Sequence, residues 1–337
     1  MTARPGGDRR RPLGVAGPDP DWRGPLEVGG VRLATPVMAA SGTFGFGTEV
    51  PLCDRRALGG MVCKGIFLEP RGGAPPPRIV ETPSGMLNAI GLQGPGVEAV
   101  IRDYAPLWAT WPFPVLVNLN GETVEEYAEL AARLDGVPGV SGLEVNISCP
   151  NVHRGGMLFG HDPEPAAAVT AAVRARTRLP VWVKLTPATG DIAAVARACE
   201  EAGADALCAV NAFVGMALDV RTGQPRLGFR TGGLSGPAIR PLAVYLAHRV
   251  AQAVRIPVIG IGGITCAEDA MEFLLAGCRA VQVGTATFVD PNAIGKVVAG
   301  LRRRLSPEGA PPAPEAPTGV GRRHSPVRTV AGDRVVE

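Results

Sequence analysis

The chain has 337 residues, of which 46% are hydrophobic and 5% aromatic, and its formal net charge is +3. This near balance of charge argues against a nucleic-acid-binding protein, which needs a clustered basic face, and no apolar run reaches the roughly 18 residues that a transmembrane helix requires. The seven cysteines have no CxxC spacing, which argues against a disulfide framework or a metal site; since the N-terminus has no apolar secretion signal, we expect a soluble cytoplasmic protein.

Composition divides the chain into three regions. Residues 1–24 are rich in Arg, Gly and Pro and lack periodicity, which predicts a flexible N-terminal arm. The alternative to a solvated arm is a contact of its arginines with nucleic acid or an acidic partner. Residues 305–337 contain no Phe, Trp or Tyr and include a Pro-rich run at 310–317, which predicts a disordered tail. Residues 25–304 would then form one domain.

Eight short apolar runs alternate with helical patterns inside this domain. The runs are continuous, as is typical of parallel strands that are buried on both faces. Eight strand–helix units in a row predict an α/β fold of the (β/α)8 TIM-barrel type, and a doubly wound sheet is the alternative. The strands are predicted at residues 36–40, 60–64, 114–118, 142–147, 181–185, 206–211, 257–261 and 280–284.

Turn and cap signals add detail to these units. Residues 26–34, with two central glycines, predict an N-terminal hairpin that could close the bottom of the barrel. Thr123 begins a capping-box pattern, and Asp191 is the predicted cap of a later helix. The long segments 66–96 and 212–236 follow strand ends, where barrels carry their active sites, so we expect long active-site loops there, the second with a hairpin.

Glycine turns end the last two predicted strands. Strand seven ends in Gly-Ile-Gly-Gly at 260–263, and strand eight ends in Gly284-Thr285. Glycine lets backbone N–H groups approach an anion, and TIM barrels bind phosphate at these two positions. Each motif alone is explained equally well by a tight turn. Together, the two motifs favour a phosphate ligand.

Lysines and amides also lie at predicted strand ends. An unpaired lysine near a barrel core is costly without an anionic partner, and for Lys64 and Lys184 a flavin would be such a partner; a structural pair with a barrel carboxylate such as Glu144 is the alternative. An amide both donates and accepts hydrogen bonds, which suits the edge of a uracil-like or isoalloxazine ring. The amides are Asn88, Asn118, Asn120, Asn146 and Asn211.

Cys149 differs from most of the other cysteines, which lie in apolar runs and are predicted to be small buried hydrophobes. It follows strand four in the polar run 146–151, ahead of a possible lid at 152–161. A thiol on a polar loop above a cationic pocket is a candidate general base or nucleophile. An inert thiol is the alternative, and the residues alone do not distinguish base from nucleophile.

Four motifs together resemble those of class 1 dihydroorotate dehydrogenases, and the similarity extends over about residues 26–303. The resemblance implies an FMN enzyme that oxidises dihydroorotate to orotate in de novo pyrimidine synthesis. Cys149 would take the C5 proton while the C6 hydride passes to flavin N5. The motifs are Ala-Ser-Gly-Thr-Phe-Gly at 40–45, Met-Leu-Asn-Ala-Ile-Gly-Leu-Gln at 86–93, Asn-Ile-Ser-Cys-Pro-Asn at 146–151 and Thr-Gly-Gly-Leu-Ser-Gly-Pro at 231–237.

The resemblance also implies the binding residues, with Cys149 and Lys64 as the catalytic pair. Ala212 departs from the family, which usually has Thr or Ser there, and this puts one substrate hydrogen bond of about 1 kcal/mol in doubt. FMN would be bound by Ser41, Lys64, Gly65, Asn118, Asn146, Lys184, Val210, Gly236, Gly262, Gly263, Gly284 and Thr285. Dihydroorotate would be bound by Lys64, Asn88, Ala89, Ile90, Gly91, Leu92, Asn146, Asn211 and Ala212.

Two segments, 85–93 and 215–219, look like those of the NAD-linked class 1B catalytic subunit. This implies a partner subunit with FAD and a [2Fe–2S] cluster, because this chain has no cysteine spacing for such a cluster. A homodimeric core joined to two partners, a heterotetramer, is also implied. The quinone-using membrane class has Ser as its base and an N-terminal membrane segment, and neither feature is found here.

Two other functions are weighed against this one. A dihydropyrimidine dehydrogenase-like flavoenzyme acting on uracil or thymine would share the barrel and the cysteine, but such proteins commonly carry added iron–sulfur segments. A non-catalytic flavin- or phosphate-binding barrel would not need the full set of base, lysines and amides. Orotate is favoured because its carboxylate needs a cation and backbone amides, which Lys64 and residues 88–92 would supply.

Overall fold

The computed structural model describes residues 24–49, 54–148, 150–151 and 157–305. The predicted catalytic residue Cys149 lies outside the described residues. So do the predicted flexible arm, except for Gly24, the predicted tail beyond Leu305, and the first half of the predicted lid.

The described elements alternate between strands and helices. No helix in these ranges combines the length and apolar character needed to cross a bilayer. The strands are β1 (Leu26–Val28), β2 (Val31–Leu33), β3 (Val37–Ala39), β4 (Gly60–Val62), β5 (Ile79–Thr82), β6 (Gly85–Asn88), β7 (Val115–Leu119), β8 (Gly142–Asn146), β9 (Pro150–Asn151), β10 (Met157–Leu158), β11 (Val181–Lys184), β12 (Ala206–Ala209), β13 (Phe213–Gly215), β14 (Gly232–Ser235), β15 (Val258–Ile261) and β16 (Ala280–Val283). The helices are α1 (Val97–Ala99), α2 (Ala105–Trp108), α3 (Val124–Leu134), α4 (Pro163–Arg174), α5 (Ile192–Glu201), α6 (Arg240–Ala251), α7 (Ala267–Leu275), α8 (Ala286–Val289) and α9 (Ala293–Leu305), and a π-helical turn at Val100–Tyr104 joins α1 to α2.

Eight parallel strands close into a barrel, which confirms the predicted (β/α)8 fold. Around the ring the order is β3, β4, β7, β8, β11, β12, β15 and β16, and these are the eight strands predicted from the apolar runs. The ring closes where β16 pairs with β3, with Val281 opposite Val37. A doubly wound sheet has two open edges, so this closure excludes that alternative.

The predicted N-terminal hairpin is formed by β1 and β2 and closes the bottom of the barrel. Val28 and Leu33 are fully buried and pack in the same interior cluster as Trp182, whose indole Nε1 donates to the carbonyl of Gly29 at 3.0 Å. Gly29 has a φ of +48°, and a Cβ there would lie 2.7 Å from the Cβ of Ala206. The turn therefore requires glycine in order to fit against the strands.

The predicted helix caps are present, with one difference. Asp191 accepts a hydrogen bond from Ala193 N and caps α5, and Thr123 accepts one from Glu126 N at 3.2 Å and caps α3. The Glu126 carboxylate, however, accepts from the backbone N–H of Glu122 at 2.7 Å. The second bond of the predicted capping box is thus made one residue before the cap.

The two long insertions form one antiparallel sheet, in the order β13-β14-β6-β5. The hairpin predicted within 212–236 is β13 and β14, and its turn is closed by a bond from Asp219 N to Gln224 O at 2.9 Å. The pairing of β14 with β6 was not predicted. It sets Gly233 opposite Asn88, and Asn88 Nδ2 donates to Gly233 O at 3.2 Å.

Because the hairpin packs into the bottom of the barrel, truncating its buried Leu33 should destabilise the fold. Leu33→Ala should lower the free energy of unfolding by about 2–5 kcal/mol, because the fully buried side chain would leave a cavity. The control Leu242→Ala, at a position on α6 that is 52% exposed, should change it by no more than about 0.5 kcal/mol. Urea unfolding followed by circular dichroism measures both, and equal losses would contradict the packing described for the hairpin.

Candidate active site

A cavity of about 420 Å³ opens at the carboxyl end of the barrel, between the barrel and the four-stranded sheet. This volume is typical of a small-molecule site. Every barrel strand contributes to its wall through residues at or just after its carboxyl end, because parallel strands end on the same side of the ring. In ring order these residues include Ser41, Lys64, Asn118, Asn146, Lys184, Val210, Ile261 and Gly284.

Most of the predicted site residues line this one cavity. Ala89 and Gly91 belong to the predicted substrate segment but are not part of the wall, and the backbone N–H of Ala89 already donates to Arg78 O at 2.8 Å. The lining residues predicted for the cofactor are Ser41, Lys64, Gly65, Asn118, Asn146, Lys184, Val210, Gly236, Gly262, Gly263, Gly284 and Thr285. Those predicted for the substrate are Lys64, Asn88, Ile90, Leu92, Asn146, Asn211 and Ala212.

A buried carboxylate lies beneath the cavity. Glu144 is fully buried in β8, and each of its oxygens has a partner. Oε1 accepts from Asn118 Nδ2 at 2.8 Å and lies 3.4 Å from Lys184 Nζ, whereas Oε2 accepts from Gln282 Nε2 at 2.8 Å. All three of these neighbours donate to the carboxylate.

The two lysines have different surroundings. Lys184 pairs with Glu144, as the structural alternative predicts, but it also lines the cavity and donates to Ser41 Oγ at 2.9 Å. Lys64 forms no ion pair within the described ranges. Burial, and secondarily the nearby ammonium of Lys184, lower the pKa of Lys64 from its ordinary value. Lys64 is therefore the cation that remains available to an anionic ligand.

The amides form a continuous chain that ends at the carboxylate. Asn211 donates to Asn146 Oδ1 at 3.0 Å, and Asn146 donates to Asn120 Oδ1 at 2.7 Å. Asn120 then donates to Asn118 Oδ1 at 3.4 Å. Because a carboxylate only accepts, Asn118 must donate to Glu144, and this orientation is passed along the chain. Glu144 therefore determines which hydrogen-bond donors and acceptors the amides present to a ligand in the cavity.

The glycine turns support both interpretations made from the sequence. A Cβ on Gly262 would lie 2.8 Å from Ala243 Cβ, and one on Gly263 would lie 2.7 Å from Arg240 Cβ, so α6 requires both glycines, as in a tight turn. Gly284 is different, because a Cβ there would meet no protein atom closer than 3.5 Å. Packing does not require this glycine, and its open side lines the cavity.

Buried cysteines behave as predicted. Cys63, Cys199, Cys208 and Cys278 are buried. Burial raises the pKa of the thiols of Cys63, Cys199 and Cys278 to about 12, so these groups stay protonated at neutral pH. Within the described ranges, no cysteine lines the cavity.

Sequence reasoning missed several residues of the site. Ser235 lines the cavity and accepts a hydrogen bond from Thr285 at 2.8 Å, which ties the four-stranded sheet to the last barrel strand; its place in the motif at 231–237 was the available signal. Gln282 was also missed, although an amide inside an apolar strand indicates a buried partner. Thr43, Ser148, Thr186 and Phe288 are further lining residues.

A family model described as dihydroorotate dehydrogenase matches residues 25–305. The chain belongs to the dihydroorotate dehydrogenase family. It is 54% identical to the dihydroorotate dehydrogenase B (NAD(+)), catalytic subunit, of Desulforudis audaxviator (strain MP104C), over 84% of this chain and 93% of that protein. Proteins of the same name from Pelobacter propionicus and Geobacter sulfurreducens are 53% and 52% identical, over 84% of this chain and 94% and 93% of theirs.

Burial of Lys64 without an acidic partner among the described residues should lower the stability of the ligand-free chain. Because the pKa of Lys64 is lowered on folding, the unfolded chain binds more protons between the two pKa values, so stability rises with pH across that window. Lys64→Met should therefore raise the free energy of unfolding of the ligand-free chain at neutral pH, and this gain should shrink as the pH rises past the lowered pKa.

The matched control is Lys296→Met. Lys296 is 73% exposed and pairs with Asp290 at the surface, so its removal should change stability by no more than about 1 kcal/mol. Urea unfolding at a series of pH values measures both variants. If Lys64→Met destabilised the ligand-free chain at neutral pH, Lys64 would not be an uncompensated cation.

Proposed function

We propose that this chain oxidises dihydroorotate to orotate in pyrimidine biosynthesis, with FMN as its cofactor, as the catalytic subunit of an NAD-linked enzyme. The observation that carries the proposal is the convergence of lysines, oriented amides and glycine turns on one cavity at the mouth of the barrel. Membership of the dihydroorotate dehydrogenase family supports it. The uracil or thymine alternative is not favoured by the family or by the names of the relatives.

The chemistry of the cavity fits FMN, which has a phosphate, a polar chain and a flat ring with donors and acceptors. Gly284 offers an unobstructed backbone at the last strand, and with Gly236, Gly262, Gly263 and Thr285 it would bind the phosphate. The ring would be bound by Ser41, Lys64, Gly65, Asn118, Asn146, Lys184 and Val210. When bound, FMN supplies the two-electron oxidant that accepts hydride from the substrate.

Dihydroorotate combines a uracil-like ring with a carboxylate. We propose that Lys64 and the segment Asn88–Leu92 bind this carboxylate. Within the segment, Ala89 and Gly91 would contribute by fixing the backbone conformation. The amides of Asn146 and Asn211 would hold the ring, because their orientation is already set by their mutual hydrogen bond at 3.0 Å. Ala212 lines the cavity without a hydroxyl, so among residues 211 and 212 only Asn211 would hydrogen-bond to that edge of the ring.

We assign removal of the C5 proton to Cys149. The assignment is supported by the residue before it, Ser148, which lines the cavity and accepts a hydrogen bond from Asn211 Nδ2 at 3.0 Å. A thiolate takes the proton as the hydrogen on C6 leaves as hydride. Lys64, which lines the cavity, would hold the substrate carboxylate in place during this step.

The relatives are named as catalytic subunits of dihydroorotate dehydrogenase B (NAD(+)), and this name supports a partner subunit. We assign to that partner FAD and a [2Fe–2S] cluster that carry electrons onward to NAD+. A homodimeric core of this chain with two such partners would form a heterotetramer.

The first prediction of this proposal concerns the purified chain. It should carry a yellow flavin that is released as FMN on denaturation and that bleaches when dihydroorotate is added without oxygen. Orotate should perturb the flavin spectrum at concentrations at which uracil does not. A colourless chain, or a bound flavin that dihydroorotate leaves oxidised, would refute the proposed function.

The second prediction concerns the base. Cys149→Ser should slow anaerobic flavin reduction by dihydroorotate about 10²–10⁴-fold at pH 7, the usual contribution of a general base. The wild-type rate should rise with pH through the titration of the thiol. Cys199→Ala is the matched control, since that buried thiol lies outside the cavity, and it should keep the wild-type rate. Equal rates for Cys149→Ser and wild type would remove Cys149 from the mechanism.

A further inference from the structure

A hydrogen bond crosses the interior of the barrel beneath the cavity. Gln282 on β16 donates to Glu144 on β8 at 2.8 Å, and these strands lie opposite each other in the ring of eight. Both side chains are fully buried, and neither lines the cavity. The pair therefore does not contact a ligand in the cavity directly.

Lys184 and Asn118 both line the cavity and contact Glu144. The ammonium of Lys184 lies 3.4 Å from Glu144 Oε1, and it donates to Ser41 Oγ at the cavity wall. Asn118 donates to the same carboxylate oxygen, so Gln282 supplies the partner of the other one. Without Gln282, Oε2 would lose the donor that reaches it from the opposite side of the ring at 2.8 Å.

The amide of Gln282 is not explained by packing. Its Oε1 is buried and has no hydrogen-bond partner among the described residues, and an orphaned buried acceptor is destabilising. The opposite orientation of the amide would bring an oxygen against the carboxylate of Glu144. The Nε2 of Gln282 donates to Glu144 at 2.8 Å and makes a longer contact of 3.5 Å with Cys208 Sγ. An apolar side chain of similar length would avoid the orphaned oxygen, so the feature that distinguishes glutamine here is its short hydrogen bond to Glu144.

We propose that Gln282 is a positioning residue that sets the charge beneath the cofactor by holding the carboxylate of Glu144 beside Lys184. The carboxylate offsets part of the positive charge that Lys64 and Lys184 bring to the cavity. Positive charge near the flavin ring favours its reduced form. The Gln282–Glu144 pair thus keeps the reduction potential below the value that two uncompensated lysines would set. This inference rests on the FMN site proposed above.

The test is the reduction potential of the flavin in Gln282→Met, which keeps the length of the side chain and removes the donor. The two-electron reduction equilibrium should shift at least tenfold toward the reduced form, a change of about 30 mV in the positive direction. Glu144→Gln removes the charge itself and should shift the equilibrium further in the same direction. Both are measured on the flavin-loaded chain by anaerobic equilibration with a reference dye.

Two controls separate this role from a merely structural one. Met38→Leu changes a fully buried residue that pairs in register with Gln282 on the neighbouring strand, and it should leave the potential unchanged. The double variant of Gln282→Met and Glu144→Gln should have the potential of Glu144→Gln alone, because Gln282 acts only through the carboxylate.

An unshifted potential in Gln282→Met would overturn the proposal, as would an equal shift in Met38→Leu or an added shift in the double variant. If Gln282→Met does not fold or does not retain flavin, the test uses Glu144→Gln instead. An unshifted or more negative reduction potential in Glu144→Gln would show that the carboxylate does not lower the potential, and this would overturn the proposal. A wild-type chain that binds no flavin would instead refute the proposed FMN site, and this outcome is distinguishable from a flavin whose potential does not move.

Discussion

A carboxylate that accepts hydrogen bonds from three donors lies fully buried inside the barrel. An isolated charge in such a place costs several kcal/mol, and Glu144 avoids that cost because Asn118, Lys184 and Gln282 surround it. These three residues belong to three other strands of the ring. The charge is therefore satisfied only when the barrel has closed, so that folding of the barrel and assembly of the site depend on the same contacts.

The carboxylate also decides what the cavity offers to a ligand. Because Glu144 can only accept, Asn118 must donate to it, and the other amides of the cavity take the same direction. Lys184 is partly compensated by the carboxylate, whereas Lys64 has no acidic partner in the described ranges. Among the described residues, the cavity wall therefore combines oriented amides with a lysine that is available to a ligand, which suits a uracil-like ring that carries a carboxylate. Because Lys64 has no acidic partner among the described residues, its burial lowers the stability of the ligand-free chain while leaving its ammonium available to a ligand.

Local patterns predicted most of the fold and most of the residues that line the cavity, but few of the contacts between them. The eight barrel strands were recognisable because each is a short, continuous apolar run, as burial on both faces requires. The four-stranded sheet was missed because β5 and β6 lie in a segment rich in Pro and Gly, and because its pairing joins Gly233 to the distant Asn88. Gln282 was missed because its partner lies across the ring.

By itself, the sequence determined the number and order of the barrel strands, the glycine turns at their ends, the polar residues of the mouth and the resemblance to a family. Only the tertiary structure decided that Lys184 is paired while Lys64 has no acidic partner among the described residues, that the amides share one orientation, and that the two insertions meet in a sheet. The reason is the separation in sequence between the interacting residues. Apolar periodicity, caps and turns act between near neighbours in the chain, whereas a buried charge is satisfied by side chains that closure of the ring brings together from strands far apart in sequence.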